Sequence, residues 1–149
     1  MNKIKVGIGV MLINKGRILL FRRKNKLGRN LWAWPGGHLN YGETIHECAK
    51  REVREETGIH LEDKDLSYLC TSNIIEYGQH YIDIELVANI EETKIKPNGE
   101  FSSYGWFIPK EVEKKELFKA CELGIIANKT QNPVCDFRRD KDDIKKNSQ

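Results

Sequence analysis

Residues 35–59 constrain this chain more than any other stretch. They read as a glycine-rich loop feeding a helix whose last turns are crowded with carboxylates. Thr44 and Glu47 have the spacing of a capping box, in which the side chain of each residue satisfies a backbone N–H of the other. Gly58 stands where a helix closes on a left-handed residue. At 3.6 residues per turn, Ile45, Cys48, Ala49, Glu52, Val53 and Glu56 share one face, and Glu55 borders it. Carboxylates at i,i+3 and i,i+4 repel by roughly 0.2–0.5 kcal/mol per pair in water. They also stand at the negative end of the helix dipole. A face shared with Ile45, Cys48 and Val53 is not simply solvated. Two compensations are open at this point: ion pairing with Arg51 and Arg54, or a hard divalent cation. Magnesium takes few carboxylates, keeps waters and adds substrate phosphates to its shell.

The rest of the composition narrows the field by exclusion. With 149 residues, 39% hydrophobic and 32% charged, the chain reads as one domain able to bury its own core. Its 25 basic and 22 acidic residues leave a net charge of +3, too balanced to argue for nucleic acid as a partner. Spare cations nonetheless remain for a phosphorylated small molecule. Cys48, Cys70, Cys121 and Cys135 form no CxxC pair. The N-terminus runs directly into what reads as a strand rather than a secretory signal, so reduced cysteines in a cytoplasmic protein are expected. No apolar run approaches the ~20 residues of a membrane helix.

Along the chain, residues 4–13 alternate and then become continuously apolar, and residues 17–23 return across an Asn14-Lys15-Gly16 turn as a hairpin. A basic, Gly-containing loop follows over 24–30. Residues 66–75 and 81–90 read as two further strands joined through 76–80. In the second, the clean alternation of Tyr81, Asp83 and Glu85 with apolar residues predicts one face that is wet or turned to a ligand cleft. A polar loop over 91–103 leads to a short strand at 104–108. Pro109 then opens a helical region to residue 127, divided near Gly124. From 128 to 149 a polar, solvent-exposed C-terminal tail is expected. The order implies an α/β fold with a mixed sheet.

Gly37, Glu43 and the run Arg51-Glu52-Val53-Arg54-Glu55-Glu56-Thr57-Gly58-Ile59 fill every fixed position of the Nudix box. The chain therefore resembles the Nudix hydrolase superfamily, over roughly residues 4–127. The resemblance implies an α/β/α sandwich with the box helix beside a mixed sheet. It also implies magnesium-dependent hydrolysis of a nucleoside diphosphate linked to another group, with manganese as a substitute metal. Carried over by position, Glu52, Glu55 and Glu56 are the expected metal ligands. Glu52 or Glu55, rather than Glu56, is the better candidate to orient or deprotonate water. Arg51 would orient the glutamates, Glu43 would brace the loop and helix start, and the Gly37 carbonyl would join the metal shell. Family members often add a carboxylate from the loop before the last strand, for which Glu100 is the candidate and Glu85 the next.

For substrate contacts, His38, His80 and Arg23 are the polar candidates. Trp34 and Tyr104 are candidates to stack on a base or, equally, core aromatics; Trp32, Tyr77 and Phe101 could also stack. Pro-Gly-Gly-His-Leu, His80-Tyr81 and Tyr104-Gly105-Trp106 resemble the MutT-type nucleoside triphosphate diphosphatases. These release pyrophosphate and a monophosphate, and some clear oxidised nucleotides. No proline lies between Ile59 and Lys96, where ADP-ribose enzymes of the family often carry one. Tyr77 keeps a diadenosine polyphosphate hydrolase open as the alternative, beside ADP-ribose and nucleotide sugars. A catalytically silent Nudix-like binding module would be expected to lose box glutamates, and this chain keeps them. An RNA enzyme would need a groove such as the 22–29 loop could supply. A homodimer is expected only by analogy with relatives.

Overall fold

A computed structural model describes residues 2–26 and 28–140. Its strands are β1 (Ile4–Asn14), β2 (Arg17–Arg23), β3 (Trp32–Ala33), β4 (Gly36–His38), β5 (Ser67–Glu76), β6 (Gln79–Asn89), β7 (Phe101–Phe107) and β8 (Val134–Arg139). Its helices are α1 (Ile45–Thr57), α2 (Pro109–Glu113) and α3 (Lys119–Thr130). The strands join one mixed sheet in the order β3-β2-β1-β6-β5-β8, with β4 paired to β1 and β7 to β2. Strands β1 and β6 run parallel along their full length, from Ile4 opposite His80 to Ile13 opposite Asn89.

Both faces of this sheet are covered, which explains why the early strands read as continuous apolar runs rather than alternating ones. On β2, Leu19 and Phe21 belong to a core shared with Cys48, Ala49 and Val53 of α1. The intervening Ile18 and Leu20 belong to the opposite core, with Trp34, Val112 of α2 and Cys121 of α3. The result is the expected α/β/α sandwich, with α1 on one side of the sheet and α2 and α3 on the other.

Three boundaries depart from the sequence reading. Strand β7 begins at Phe101, inside the stretch expected to be loop, because Phe101 stacks on Phe21 with ring centroids 4.4 Å apart. The helical region divides at residues 114–118 rather than at Gly124. Gly124 lies within α3, where a Cβ would come within 2.7 Å of the Trp34 ring; the glycine marks close packing, not a break. The polar tail does not start at 128: α3 continues to Thr130, and β8 then pairs in parallel with β5, from Thr71 opposite Val134 to Glu76 opposite Arg139. Val134–Arg139 alternates exposed with half-buried residues, an edge-strand pattern hidden by its charge. The part of the expected tail from 141 to 149 lies outside the described residues.

Candidate active site

Helix α1 begins and ends as its sequence dictates. Thr44 accepts from the Glu47 N–H at 3.1 Å and Glu47 accepts from the Thr44 N–H at 3.0 Å. Gly58 closes the helix at φ 78°, donating to the Arg54 carbonyl. Cys48, Ala49 and Val53 bury the helix in the core. That anchoring carries Glu52 and Glu56 inward, while Glu55 at the border keeps its side chain about half exposed.

The loop before α1 is glycine-rich for a steric reason. Gly36 and Gly37 pair with Gly9 and Ile8 of β1. A Cβ on Gly36 would lie 2.6 Å from the Ile8 carbonyl oxygen, and one on Gly37 would lie 2.2 Å from Glu52 Oε1. The space a side chain would fill beside Gly37 is thus taken by a carboxylate. The Gly36 N–H donates to Glu56 Oε2 at 2.9 Å.

Arg51 organises the other side of the cluster. Its Nε and Nη2 donate to both Glu43 oxygens at 2.7 and 2.9 Å, its Nη1 reaches Glu52 at 2.7 Å and Glu55 at 3.5 Å, and Nη2 also donates to the His38 carbonyl. Glu43 in turn accepts from the Asn40 N–H at 3.1 Å. The bidentate bond from Arg51, with the Asn40 bond, holds the Glu43 carboxyl down at about 2. One arginine so ties the loop and three box glutamates together.

The inner carboxylates behave oppositely. Burial pushes Glu56 up to about 9, and the Glu52 charge adds to the rise. Burial also raises Glu52 despite its Arg51 bond, with repulsion from Glu55 and Glu100 adding to it. Glu100 is brought to this group by the 98–101 segment, whose Asn98 Nδ2 lies 3.4 Å from the Glu55 carbonyl.

These groups line a cavity of about 400 Å³. Gly37, Glu52, Glu55, Glu56 and Glu100 all line it, as do His38 and Arg23. The His38 ring lies 5.9 Å from the Tyr81 ring, and the Arg23 guanidinium 4.4 Å from the centre of Phe118. Two other candidates stand elsewhere, and a third touches the cavity without an open face. His80 bonds Asn73 at 2.6 Å on the sheet and does not line the cavity. Tyr104 packs on Phe21 with its edge in solvent, also outside the cavity. Trp34 touches the cavity but is 4% exposed within the core, so it presents no open face for a base. Sequence reasoning also placed Glu85 behind Glu100 as a further acid. It is instead 2% exposed, bonded to Trp34 on the cavity lining.

Strand β6 holds what the sequence reading missed. Asp83 and Glu85 follow Tyr81 on the inward face of β6, the face predicted to be wet or ligand-facing. They stand in register with Gly7 and Gly9 of β1. A Cβ on either glycine would fall 2.1 Å from the opposite carboxylate, so the glycines make room for the acids. Burial lifts Asp83 to about 6 and Glu85 to about 8. The alternation was legible; the compensating glycines on a distant strand were not.

Among the described residues, no three His, Cys, Asp or Glu side chains stand ready-made around one point. The donor set nonetheless fits a divalent ion. It consists of hard oxygen donors, mutually repelling and partly buried, and a cation would replace Arg51 and the raised proton affinity as their compensation.

Residues 3–127 match the NUDIX domain family. The chain belongs to the Nudix family. It is 37% identical over 130 residues to the 8-oxo-dGDP phosphatase of Homo sapiens, a match covering 82% of this chain and 39% of that protein. It is 28% identical over 102 residues to the ADP-ribose pyrophosphatase of Methanocaldococcus jannaschii, covering 68% of this chain and 60% of that one. A MutT Nudix hydrolase from Burkholderia pseudomallei superposes with a TM-score of 0.76 at 26% identity, over 84% of this chain and 98% of its own. Matched segments span from about a quarter to 60% of the first curated relatives' lengths. Among the described residues, no helix is long and apolar enough to cross a membrane.

Proposed function

We propose that this Nudix chain hydrolyses nucleoside diphosphate-linked compounds with magnesium, and acts on nucleoside triphosphates to give a monophosphate and pyrophosphate. The observation that carries the reading is that Glu52, Glu55, Glu56 and Glu100 line, together with Gly36 and Gly37, a cavity of nucleotide size. Glu52, Glu56, Glu100 and the Gly37 carbonyl would hold the ion, with Glu55 completing the set. The ion would supply charge neutralisation on the diphosphate oxygens.

The chain's own residues supply the rest. Arg51 fixes Glu52 and Glu55 relative to the loop, so the carboxylates meet the substrate already oriented. Glu55, the most exposed of the three, is the one open to solvent and would also orient the attacking water. Arg23 and His38 face the phosphates from the cavity wall, and the ring-lined remainder of the cavity receives the nucleoside. The named activity of the human relative makes oxidised guanine nucleotides a substrate class to include. ADP-ribose is a second reading, favoured by the archaeal relative of that activity.

The test is a panel of nucleoside tri- and diphosphates, oxidised nucleotides, ADP-ribose and diadenosine polyphosphates, run with magnesium and analysed for products. Monophosphate plus pyrophosphate from triphosphates is expected. Turnover of ADP-ribose alone would replace the reading with the second, and no turnover by the folded protein would remove both.

A further inference from the structure

Strand β8 begins at Val134, beyond the segment that matches the Nudix family, yet it reaches the candidate cavity at three points. Alternation puts Cys135, Phe137 and Arg139 on one face. Cys135 and Phe137 pack in a small core with Ile74 of β5, Ala120 and Leu123 of α3, and Tyr81. Ile74, Ala120 and Tyr81 line the cavity from their other sides. The Lys119 ammonium, also on the cavity wall, lies 4.3 Å from the Phe137 ring centre. Arg139 Nη1 donates to the Tyr77 hydroxyl at 2.8 Å and lies 3.4 Å from Glu76 Oε1. Glu76 and Tyr77 are both lining residues.

Tyr77 is held at a conformational cost. It forms the two-residue β5–β6 turn with Gly78, and both have positive φ, 52° and 79°. Asn, Asp or Gly fill such a turn cheaply; an aromatic residue in the left-handed region does not. An exposed tyrosine in the first turn position, with an arginine from a neighbouring strand on its hydroxyl, is a placed side chain rather than a loop filler.

We propose that β8 is a specificity element, in which Arg139 is a positioning residue that holds Tyr77 as the outer wall of the nucleoside end of the cavity. The ligand class is an aromatic base carried on a phosphorylated sugar, packed against the Tyr77 ring. The inference rests on the reading of the cavity as a nucleotide site. It extends that reading to a strand the family match does not include.

Arg139→Ala, Arg139→Lys, Tyr77→Phe and the Arg139→Ala/Tyr77→Phe double variant are compared with wild type in steady-state kinetics on the best triphosphate of the panel. Equilibrium binding of the corresponding nucleoside monophosphate and thermal melting are measured alongside. Arg138→Ala is the control, since Arg138 pairs with Asp140 and sits on the other face of β8. Arg139→Ala and Tyr77→Phe are each expected to raise KM and the monophosphate Kd roughly tenfold, the loss of one charge-assisted hydrogen bond, with kcat within about twofold. The double variant should be no worse than Arg139→Ala alone, because removing Arg139 already removes the only contact that Tyr77→Phe deletes, the bond to the hydroxyl. Arg139→Lys should recover part of the loss. Should Arg139→Ala fail to fold, Tyr77→Phe and Arg139→Lys carry the same readings without removing the strand's charge.

Unchanged KM and Kd in folded Tyr77→Phe and Arg139→Lys, or losses that add in the double variant, overturn the proposal while leaving the nucleotide reading intact. Wild-type protein that neither turns over nor binds any nucleotide overturns that reading and this inference with it.

Discussion

The Trp34 indole N–H donates to Glu85 Oε2 at 2.6 Å, closing the floor of the cavity where Gly9 leaves room for the carboxyl. Burial first, then the neighbouring Asp83 charge, raises Glu85 from 4.5 to about 8, while the indole bond opposes the rise. The sign of its effect on stability follows. Below 4.5 the group is protonated folded or unfolded, and the fold carries no penalty. Between 4.5 and about 8 unfolding releases a proton, so stability falls as pH rises, and the loss is complete once pH passes the folded value. The slope approaches about 1.4 kcal/mol per pH unit. Glu85→Gln keeps an acceptor for Trp34 and removes the titration. Its chemical denaturation at a series of pH values should show a stability advantage over wild type that widens from acid to mildly alkaline solution. A constant difference would mean that Glu85 ionises normally in the fold.

Arg51 and Glu43 work in the opposite direction. Glu43 is lowered from 4.5 to about 2 chiefly by the Arg51 bonds, so its contribution to stability is present above 4.5 and lost as pH falls through about 2. In Arg51→Gln, Glu43 should titrate back toward the ordinary carboxylate range, read by carbon-detected NMR, and acid unfolding should begin at higher pH. Activity should fall on the order of 100-fold even at neutral pH, because Glu52 and Glu55 lose their common anchor.

Gly37 and Gly36 separate two kinds of damage. In Gly37→Ala the new methyl meets a carboxylate, so Glu52 must move. The protein should keep its fold, but activity and manganese affinity should drop at least about tenfold. In Gly36→Ala the methyl meets the β1 backbone, and about 1–3 kcal/mol of stability should be lost. Calorimetric melts and manganese titrations of the two variants check the division.

Gly124 offers a test by sign. Replacing a mid-helix glycine with alanine gains about 1 kcal/mol where nothing opposes it. Here the Cβ would meet the buried Trp34 ring at 2.7 Å, so Gly124→Ala should destabilise, by about 1–3 kcal/mol. A higher melting temperature would show that the helix does not need this close approach.

Local chemistry made much of this structure legible in advance. The caps of α1, the inward turn of Glu52 and Glu56, and the glycines of the loop follow from spacing and sterics within a few residues. Glu100 was a candidate because the resemblance to the Nudix family pointed to that loop, and it lines the cavity. Long-range relations stayed hidden. Nothing near Trp34 says that it lies under α3 or bonds a carboxyl fifty-one residues away. His80 was a candidate as a polar side chain and Tyr104 as a ring that could stack or pack in the core, but neither lines the cavity: His80 bonds Asn73 and Tyr104 packs on Phe21. Strand β8 was missed because Asp136, Arg138 and Arg139 give it the composition of a tail, while its partner β5 lies more than fifty residues earlier. Only the Cys135, Phe137 alternation hinted at it.

The account depends on divalent ions occupying the carboxylates that α1 and the 98–101 segment bring together. The most direct measurement is a crystal soaked with manganese and a non-hydrolysable nucleotide, with the metal located by anomalous scattering. Peaks bounded by Glu52, Glu56 and the Gly37 carbonyl, bridging to the ligand's phosphates, are predicted; a nucleotide bound with no metal at those glutamates, or manganese bound only elsewhere, would contradict the account.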